Sequence, residues 1–314
     1  MKKRRRWKIA AILVLALLVS GCGKAETAKV ADQTESITIG YLPITHSLAV
    51  LEEKELLEQE SAEIQIELRK FSSWTDLMDA LNSGQIDGAS ALIELAMGAA
   101  SQGIDLKAAA LGHKDGNVIV VSEQIEKTED LKGKTFAIPS NQSSHNILLQ
   151  DMLAEAGLSI DDLKVVQLAP TEMPSSLASG AIDGYCVAEP FGAQAVVKNI
   201  GHVLYDSNEL WEDSVCCALV LNQKFIDESP AEAEKLVEKY YEAGAELNQE
   251  TALELAEKYL GQETETLETS LEWIHYDDLK LSKEDYDLLA QKVKDYGIND
   301  NPPSYEDFIY QGAE

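Results

Sequence analysis

Three cysteines and two histidines carry the most reactive chemistry in this sequence. Cys186 closes one apolar run, and Cys216 and Cys217 open another. Thiolate sulfur and imidazole nitrogen are the donors that soft and borderline metal ions select, and a thiolate is also a nucleophile. With His46 or His145 nearby, these cysteines could hold such a metal or react with a ligand. Two considerations weigh against it. Free cysteine is most often a small buried hydrophobe. Neighbouring residues on a strand also point to opposite faces, so at most one of Cys216 and Cys217 is expected to face a cleft. Cys217 is assigned that place, and neither a metal site nor a cofactor is expected.

A second kind of chemistry sits at helix starts. Ser73-Trp-Thr-Asp76 has capping-box spacing, and Ser143-Ser144-His145-Asn146 opens another helix. The exposed N–H groups and positive dipole end of such a start suit anions or polar acceptors. Trp74 in the first turn is either core or a pocket wall, and His145 is a candidate ligand contact. The sequence lacks a Gly-x-Gly-x-x-Gly, a Walker sequence, a Gly-x-Ser-x-Gly elbow and the paired-histidine zinc motifs, which argues against a nucleotide enzyme or a hydrolase.

The elements that must position these residues come in two similar sets. Residues 81–88 read Leu-Asn-Ser-Gly-Gln-Ile-Asp-Gly and residues 177–184 read Leu-Ala-Ser-Gly-Ala-Ile-Asp-Gly. Each copy ends a helical pattern with Ser-Gly and starts a strand. Alternating or apolar runs at 37–43 (running into a loop), 64–69, 106–111, 118–121, 131–139, 165–168 and 217–221 read as strands, with amphipathic helices between them. This order predicts an α/β protein of two lobes with mixed sheets, a cleft between them, and a helical segment from Pro230 onward. The expected division is 36–122 plus 216–314 for the first lobe and 123–215 for the second.

The 314 residues carry a formal charge of −29. Residues 1–21 hold six basic and no acidic residues, so their removal would take the charge to −35. Nucleic acid is excluded as a partner by repulsion. Lys2 to Arg6 with Lys8 form a basic n-region, residues 9–19 an apolar h-region, and Val19-Ser-Gly-Cys22 follows. This is similar to a bacterial lipoprotein signal, and implies cleavage before a lipidated Cys22 and a polar tether over 22–35. The protein is then expected on the extracytoplasmic face of the cell membrane. Three cysteines would remain, which prescribes no disulfide framework.

At the level of motifs the chain resembles the substrate-binding lipoproteins of ABC importers in the nitrate/sulfonate/taurine group, and within it the nitrate- and bicarbonate-binding branch. The residues that carry this are Gly40-Tyr-Leu-Pro-Ile-Thr-His46, Ser73-Trp74, Ser144-His-Asn-Ile-Leu-Leu149 and Ile182-Asp-Gly-Tyr-Cys-Val-Ala-Glu-Pro-Phe-Gly-Ala-Gln-Ala-Val196. The resemblance covers about residues 36–225. It implies the periplasmic-binding type II (Venus-flytrap) fold, a monomer that closes on a small solute, and permease and ATPase partners. It also implies ligand contacts from Thr45, His46, Trp74, Asn117, Ser144, His145 and Glu189. One segment departs from the pattern. Where the nitrate and bicarbonate proteins carry Pro-Glu-Lys after a Leu-Trp pair, this chain has Leu210-Trp-Glu-Asp-Ser-Val-Cys-Cys217. The lysine is missing, which counts against nitrate, since a buried anion without a matched charge is costly. The solute class stays open among oxyanions, sulfonates and small heterocycles. A ligand sensor without transport is an alternative. An enzyme like the thiamin-pyrimidine synthases of the same fold is a remoter one, because the cysteine run is too short.

Overall fold

The computed structural model describes residues 36–60 and 64–312. The basic n-region, the apolar run, Cys22 and the tether lie outside the described residues. The strands are β1 (Ser36–Tyr41), β2 (Gln65–Lys70), β3 (Gly88–Leu92), β4 (Leu106–Leu111), β5 (Lys114–Asp115), β6 (Asn117–Val121), β7 (Thr135–Ile138), β8 (Lys164–Gln167), β9 (Gly184–Ala188), β10 (His202–Asp206), β11 (Cys217–Asn222) and β12 (Ile274–His275). They form two five-stranded sheets, ordered β2-β1-β3-β11-β4 and β10-β6-β9-β7-β8, and the small pair β12-β5.

Both large sheets are mixed, and they are built alike. In the first, β1 runs parallel to β2 and β3, while β11 is antiparallel to β3 and β4. In the second, β7 runs parallel to β8 and β9, while β6 is antiparallel to β9 and β10. The repeated phrase does the same work in each. Asp87 accepts from the Thr38 N–H at 2.8 Å, and Asp183 accepts from the Thr135 N–H at 2.9 Å, so each aspartate pins the start of the neighbouring parallel strand. The following glycine lets a third strand close in: a Cβ on Gly88 would stand 2.8 Å from Leu221, and one on Gly184 3.0 Å from Phe136 and Val121.

Two expectations need correction, and one strand carries no sequence signal. Residues 117–121 pair with β9 and β10, so this strand belongs to the second sheet and not to the first lobe. An apolar run looks the same in either sheet; only the crossing at residues 112–116 assigns it. Strand β10, which is half-buried and antiparallel at a sheet edge, is not evident in the sequence because it lacks a clean alternation. The helical tail is not confined to the first lobe. Helix Pro230–Glu246 packs on helix Leu48–Gln59, but helix Thr264–Ser270 packs on helix Phe191–Val197 of the second lobe. Lys292 also reaches Asp151 there at 2.8 Å. The tail therefore straps both lobes.

Candidate metal centre

The first lobe's β1 runs through Leu42-Pro-Ile into a single 3-10 turn, Thr45–Ser47, and then helix Leu48–Gln59. His46 in that turn is wholly buried, and its Nε2 lies 2.8 Å from the Gly116 carbonyl. A carbonyl can only accept, so Nε2 carries the proton and Nδ1 keeps its lone pair. That Nδ1 faces Cys216 Sγ at 3.7 Å and Cys217 Sγ at 3.5 Å. His113 follows β4. Its ring centroid stands 3.6 Å from that of His46, and its Nε2 accepts from the Cys217 N–H at 3.4 Å.

Gly112 makes this convergence sterically possible. Its N–H donates to the Cys217 carbonyl at 2.7 Å, and a Cβ there would meet the His46 carbonyl at 2.9 Å. The backbones that carry His46, His113 and Cys217 touch at a residue without a side chain.

One donor atom each from His46, His113, Cys216 and Cys217 lies within 4.8 Å of the other three, and all four residues are buried. The two sulfurs are 3.9 Å apart. Tetrahedral zinc with bonds of about 2.0–2.3 Å has donor–donor edges of about 3.3–3.8 Å, so these distances are close to those edges before any ion is placed. Both cysteines thus face the same point, which corrects the expectation that only one could. The alternation rule fails because β11 begins at Cys217. Cys216 precedes it, with its carbonyl held by the Ile93 N–H at 2.9 Å and free of the pleat.

The electrostatics suit a cation. Burial, aided by the neighbouring His46, pushes His113 down to about 4, so its imidazole is neutral near pH 7. Burial alone would raise the Cys216 thiol. The hydrogen bond from Cys217, together with His145, His113 and His46, outweighs it and brings Cys216 well below the usual thiol range. Cys217 moves the other way, through burial and then the adjacent Cys216. Of the two thiols Cys216 is thus the stronger acid, and a bound ion would displace the protons the pair holds.

A carboxylate at the crossing holds the frame. Asp115 is buried at φ 56° and pairs with Ile274 of β12. Its oxygens accept from Ser214 N–H at 3.1 Å, Ser214 Oγ at 3.2 Å, Asn208 Nδ2 at 3.1 Å and Ser207 Oγ at 3.4 Å. It ties the outgoing crossing, which carries His113, to the returning one, which carries Cys216 and Cys217.

The other sequence-derived candidates fall into two groups. Asn117, Ser144 and His145 lie on the second lobe's side, all buried, with Asn117 Oδ1 3.8 Å from Cys216 Sγ. His145 is pushed down to about 4 by burial, against the pull of Cys216. Thr45 and Glu189 serve to join the lobes: Thr45 N–H and Oγ1 donate to the Glu189 carbonyl at 2.9 and 3.0 Å. The Glu189 side chain accepts from the Ala193 N–H at 3.1 Å, and burial raises its pKa to about 8 against the pull of Ala193 and Gly192. Trp74 packs in the apolar core at the start of helix Trp74–Asn82. Two residues escaped the sequence reading. His113, directly after an apolar strand and a glycine, had a visible signal in Leu-Gly-His. Glu94, buried in the first turn of helix Ile93–Ser101, had none.

Comparison with known proteins now bears on this geometry. Residues 31–260 match the model of the NMT1-like family. The chain belongs to that family. A solved relative is the ligand-binding component of an ABC-type import system from Staphylococcus aureus, described with zinc bound. It is 36% identical, with a TM-score of 0.84 over 88% of this chain and 96% of that one. The aliphatic sulphonate binding protein SsuA of Escherichia coli has the same fold, at 21% identity and a TM-score of 0.73 over 89% of this chain and 93% of that one. Among curated relatives, the taurine-binding periplasmic protein of Escherichia coli is 30% identical over 63% of this chain and 62% of its own length. A nitrate import ATP-binding protein of Synechocystis is 26% identical over 77% of this chain and 38% of its own length. The chain thus spans less than two thirds of these curated relatives. The periplasmic-binding fold and the nitrate, sulfonate and taurine kinship agree with the motif-level resemblance. Among the described residues no helix is long and apolar enough to cross a membrane.

Proposed function

We propose that this chain is the extracytoplasmic solute-binding component of an ABC importer and that its cargo is a thiophilic divalent metal ion, zinc foremost. The observation that carries this reading is the buried group of two imidazoles and two thiols whose donors lie within 4.8 Å of one another. Two thiolates balance the charge of a divalent ion, and neutral imidazoles complete a tetrahedron, the donor set zinc prefers. The zinc in the Staphylococcus aureus relative supports the same assignment. A sealed oxyanion would fare poorly here, because among the described residues none of the wholly buried polar side chains is Lys or Arg.

All four donors sit on the first lobe and the crossing beside it, so the ion is captured by one lobe. The second lobe then folds Ser144 and His145 over it, and the closed form docks on a permease that works with an ATPase. Cys22 would carry the lipid that keeps the protein at the membrane surface. The test is native mass spectrometry and calorimetry on residues 23–314 after chelation. One zinc per chain, lost together in Cys216→Ser and Cys217→Ser, supports the reading. Zinc binding that survives both substitutions, or none at all, overturns it.

A further inference from the structure

Helix Lys283–Asp295 is tied to the first lobe on both sides. Before it, the Leu279 carbonyl accepts from the Leu111 N–H of β4 at 2.7 Å. After it, the Tyr310 N–H donates to the Ala108 carbonyl of the same strand at 2.9 Å. The chain leaving the helix also lies against helix Ile93–Ser101. There Ser101 Oγ donates to the Asn301 carbonyl at 3.0 Å and accepts from Asn299 Nδ2 at 3.0 Å. Tyr286 OH donates to the Pro303 carbonyl at 2.7 Å and closes the helix onto that returning chain. A helix held in this way moves with the first lobe. Its last turn nonetheless ends on the second. Lys292 and Tyr296, four positions apart and so on one face, both meet Asp151 of helix Ser144–Glu155. Lys292 Nζ donates to one carboxylate oxygen at 2.8 Å, and Tyr296 OH donates to the other. Lys292 Nζ also stands 5.0 Å from the centre of the Trp211 ring, within cation–π reach. Trp211 follows helix Ser207–Leu210, which packs on helix Ser144–Glu155. An isolated surface ion pair contributes little. Here one carboxylate takes donors at both oxygens from a single helix, and the Asp151 and Lys292 side chains are only 13% and 20% exposed.

We propose that Lys292, Tyr296 and Trp211 clasp Asp151 from outside the cleft and bias the two lobes toward their closed arrangement, with or without a solute between them. Helix Ser144–Glu155 is the element that the clasp holds. Asp151 lies about two turns beyond Ser144 and His145, so fixing it fixes the end of the helix that faces the metal centre. The clasp residues are positioning residues and touch no solute. A solute leaves only when the lobes part, so a bias toward closure slows release and raises the fraction of protein in the holding state. The inference goes beyond the metal reading, because it holds for any solute that the lobes enclose.

The experiment uses residues 23–314, first stripped of metal, in small-angle X-ray scattering. Lys292→Met and Asp151→Asn should each raise the radius of gyration above the parent's as the lobes part. Lys292→Arg keeps a cationic donor for Asp151 and Trp211 and should leave it unchanged. The second readout is stopped-flow release of zinc to a chelator. Release should be faster by at least about fivefold in Lys292→Met and Asp151→Asn, the low end of ordinary coupling between sites, and unchanged in Lys292→Arg. One radius of gyration for the metal-free parent and both disruptive variants overturns the proposal, and so does zinc release at the parent's rate in both. An equal effect of Lys292→Arg also overturns it, because it points to disturbed packing and not to a lost donor. If Lys292→Met does not fold, Asp151→Asn, which keeps the shape of the side chain, carries the same two readouts. If the parent binds no zinc, the cargo reading falls, and the radius of gyration still decides the clasp.

Discussion

His46→Gln separates the two jobs of one imidazole. The Nε2–H holds the Gly116 carbonyl at 2.8 Å, and a glutamine amide can make that hydrogen bond. The Nδ1 lone pair, aimed at sulfurs 3.5 and 3.7 Å away, has no counterpart in glutamine. The fold should therefore survive while the coordination sphere loses one of its four donors. Disturbing an outer-shell partner typically costs 10–100-fold in metal affinity, so losing a ligand should cost at least about 100-fold, or about 2.7 kcal/mol. With zinc at about 1,000 times the parent's dissociation constant, binding stabilises the parent by about 4.1 kcal/mol. The variant would then sit at about ten times its own constant and gain about 1.4 kcal/mol. At about 2 °C per kcal/mol for a chain of this size, the zinc-induced rise in Tm should shrink by about 5 °C. The assay is differential scanning calorimetry with chelator and then with buffered zinc. An equal zinc shift in parent and variant would refute the argument that Nδ1 faces the ion. A large fall in Tm with chelator would refute the claim that glutamine replaces the structural half.

Gly112→Ala should overpack the contact where a Cβ meets the His46 carbonyl at 2.9 Å, cost about 1–3 kcal/mol, and weaken zinc binding, both readable by urea titration with and without metal. Asp115→Ala strands the Ser214 and Asn208 donors and should cost about 2–4 kcal/mol, with zinc affinity falling because the two crossings come apart. Below about pH 6.5 the metal-free protein should lose stability down to about pH 4. In that window the unfolded chain protonates His113 and His145, whereas the folded one, with both at about 4, does not. Each histidine contributes about 3 kcal/mol at most, and urea midpoints measured with chelator at pH 7 and 4.5 should show the loss. Glu189 has the opposite sign. Its pKa rises to about 8, so its contribution is complete below about 4.5 and fades as pH climbs through 8. Glu189→Gln should therefore remove the fall in stability between about pH 6.5 and 8, where the two histidines no longer titrate, and a parent curve already flat in that window would refute the assignment.

Much of the scaffold is written locally. The period-two runs, the Ser73 cap on Asp76 and the Ser-Gly helix stops depend on neighbours a few residues away. The stops at Gly84 and Gly180 do adopt positive φ of 69° and 73°. The repeated Ile-Asp-Gly foretold two lobes because an identical local task, pinning β1 or β7, needs identical residues. The departure at Val215-Cys216-Cys217 marked the segment that supplies two of the four clustered donors. Its meaning was not legible, because the alternation rule that set Cys216 aside holds only inside a strand, and Cys216 stands one residue outside it.

The sequence alone, then, determined most of the elements, the two similar α/β lobes and the kinship with solute-binding proteins, all consequences of short-range pattern. Tertiary structure decided which strand belongs to which sheet. It also decided that His46, His113, Cys216 and Cys217 meet at one point, and that Thr45 hydrogen-bonds the Glu189 carbonyl across the lobes. The physical reason is distance along the chain. His46 and Cys217 are 171 positions apart, and they meet only because the chain crosses twice between the sheets beside Gly112 and Asp115.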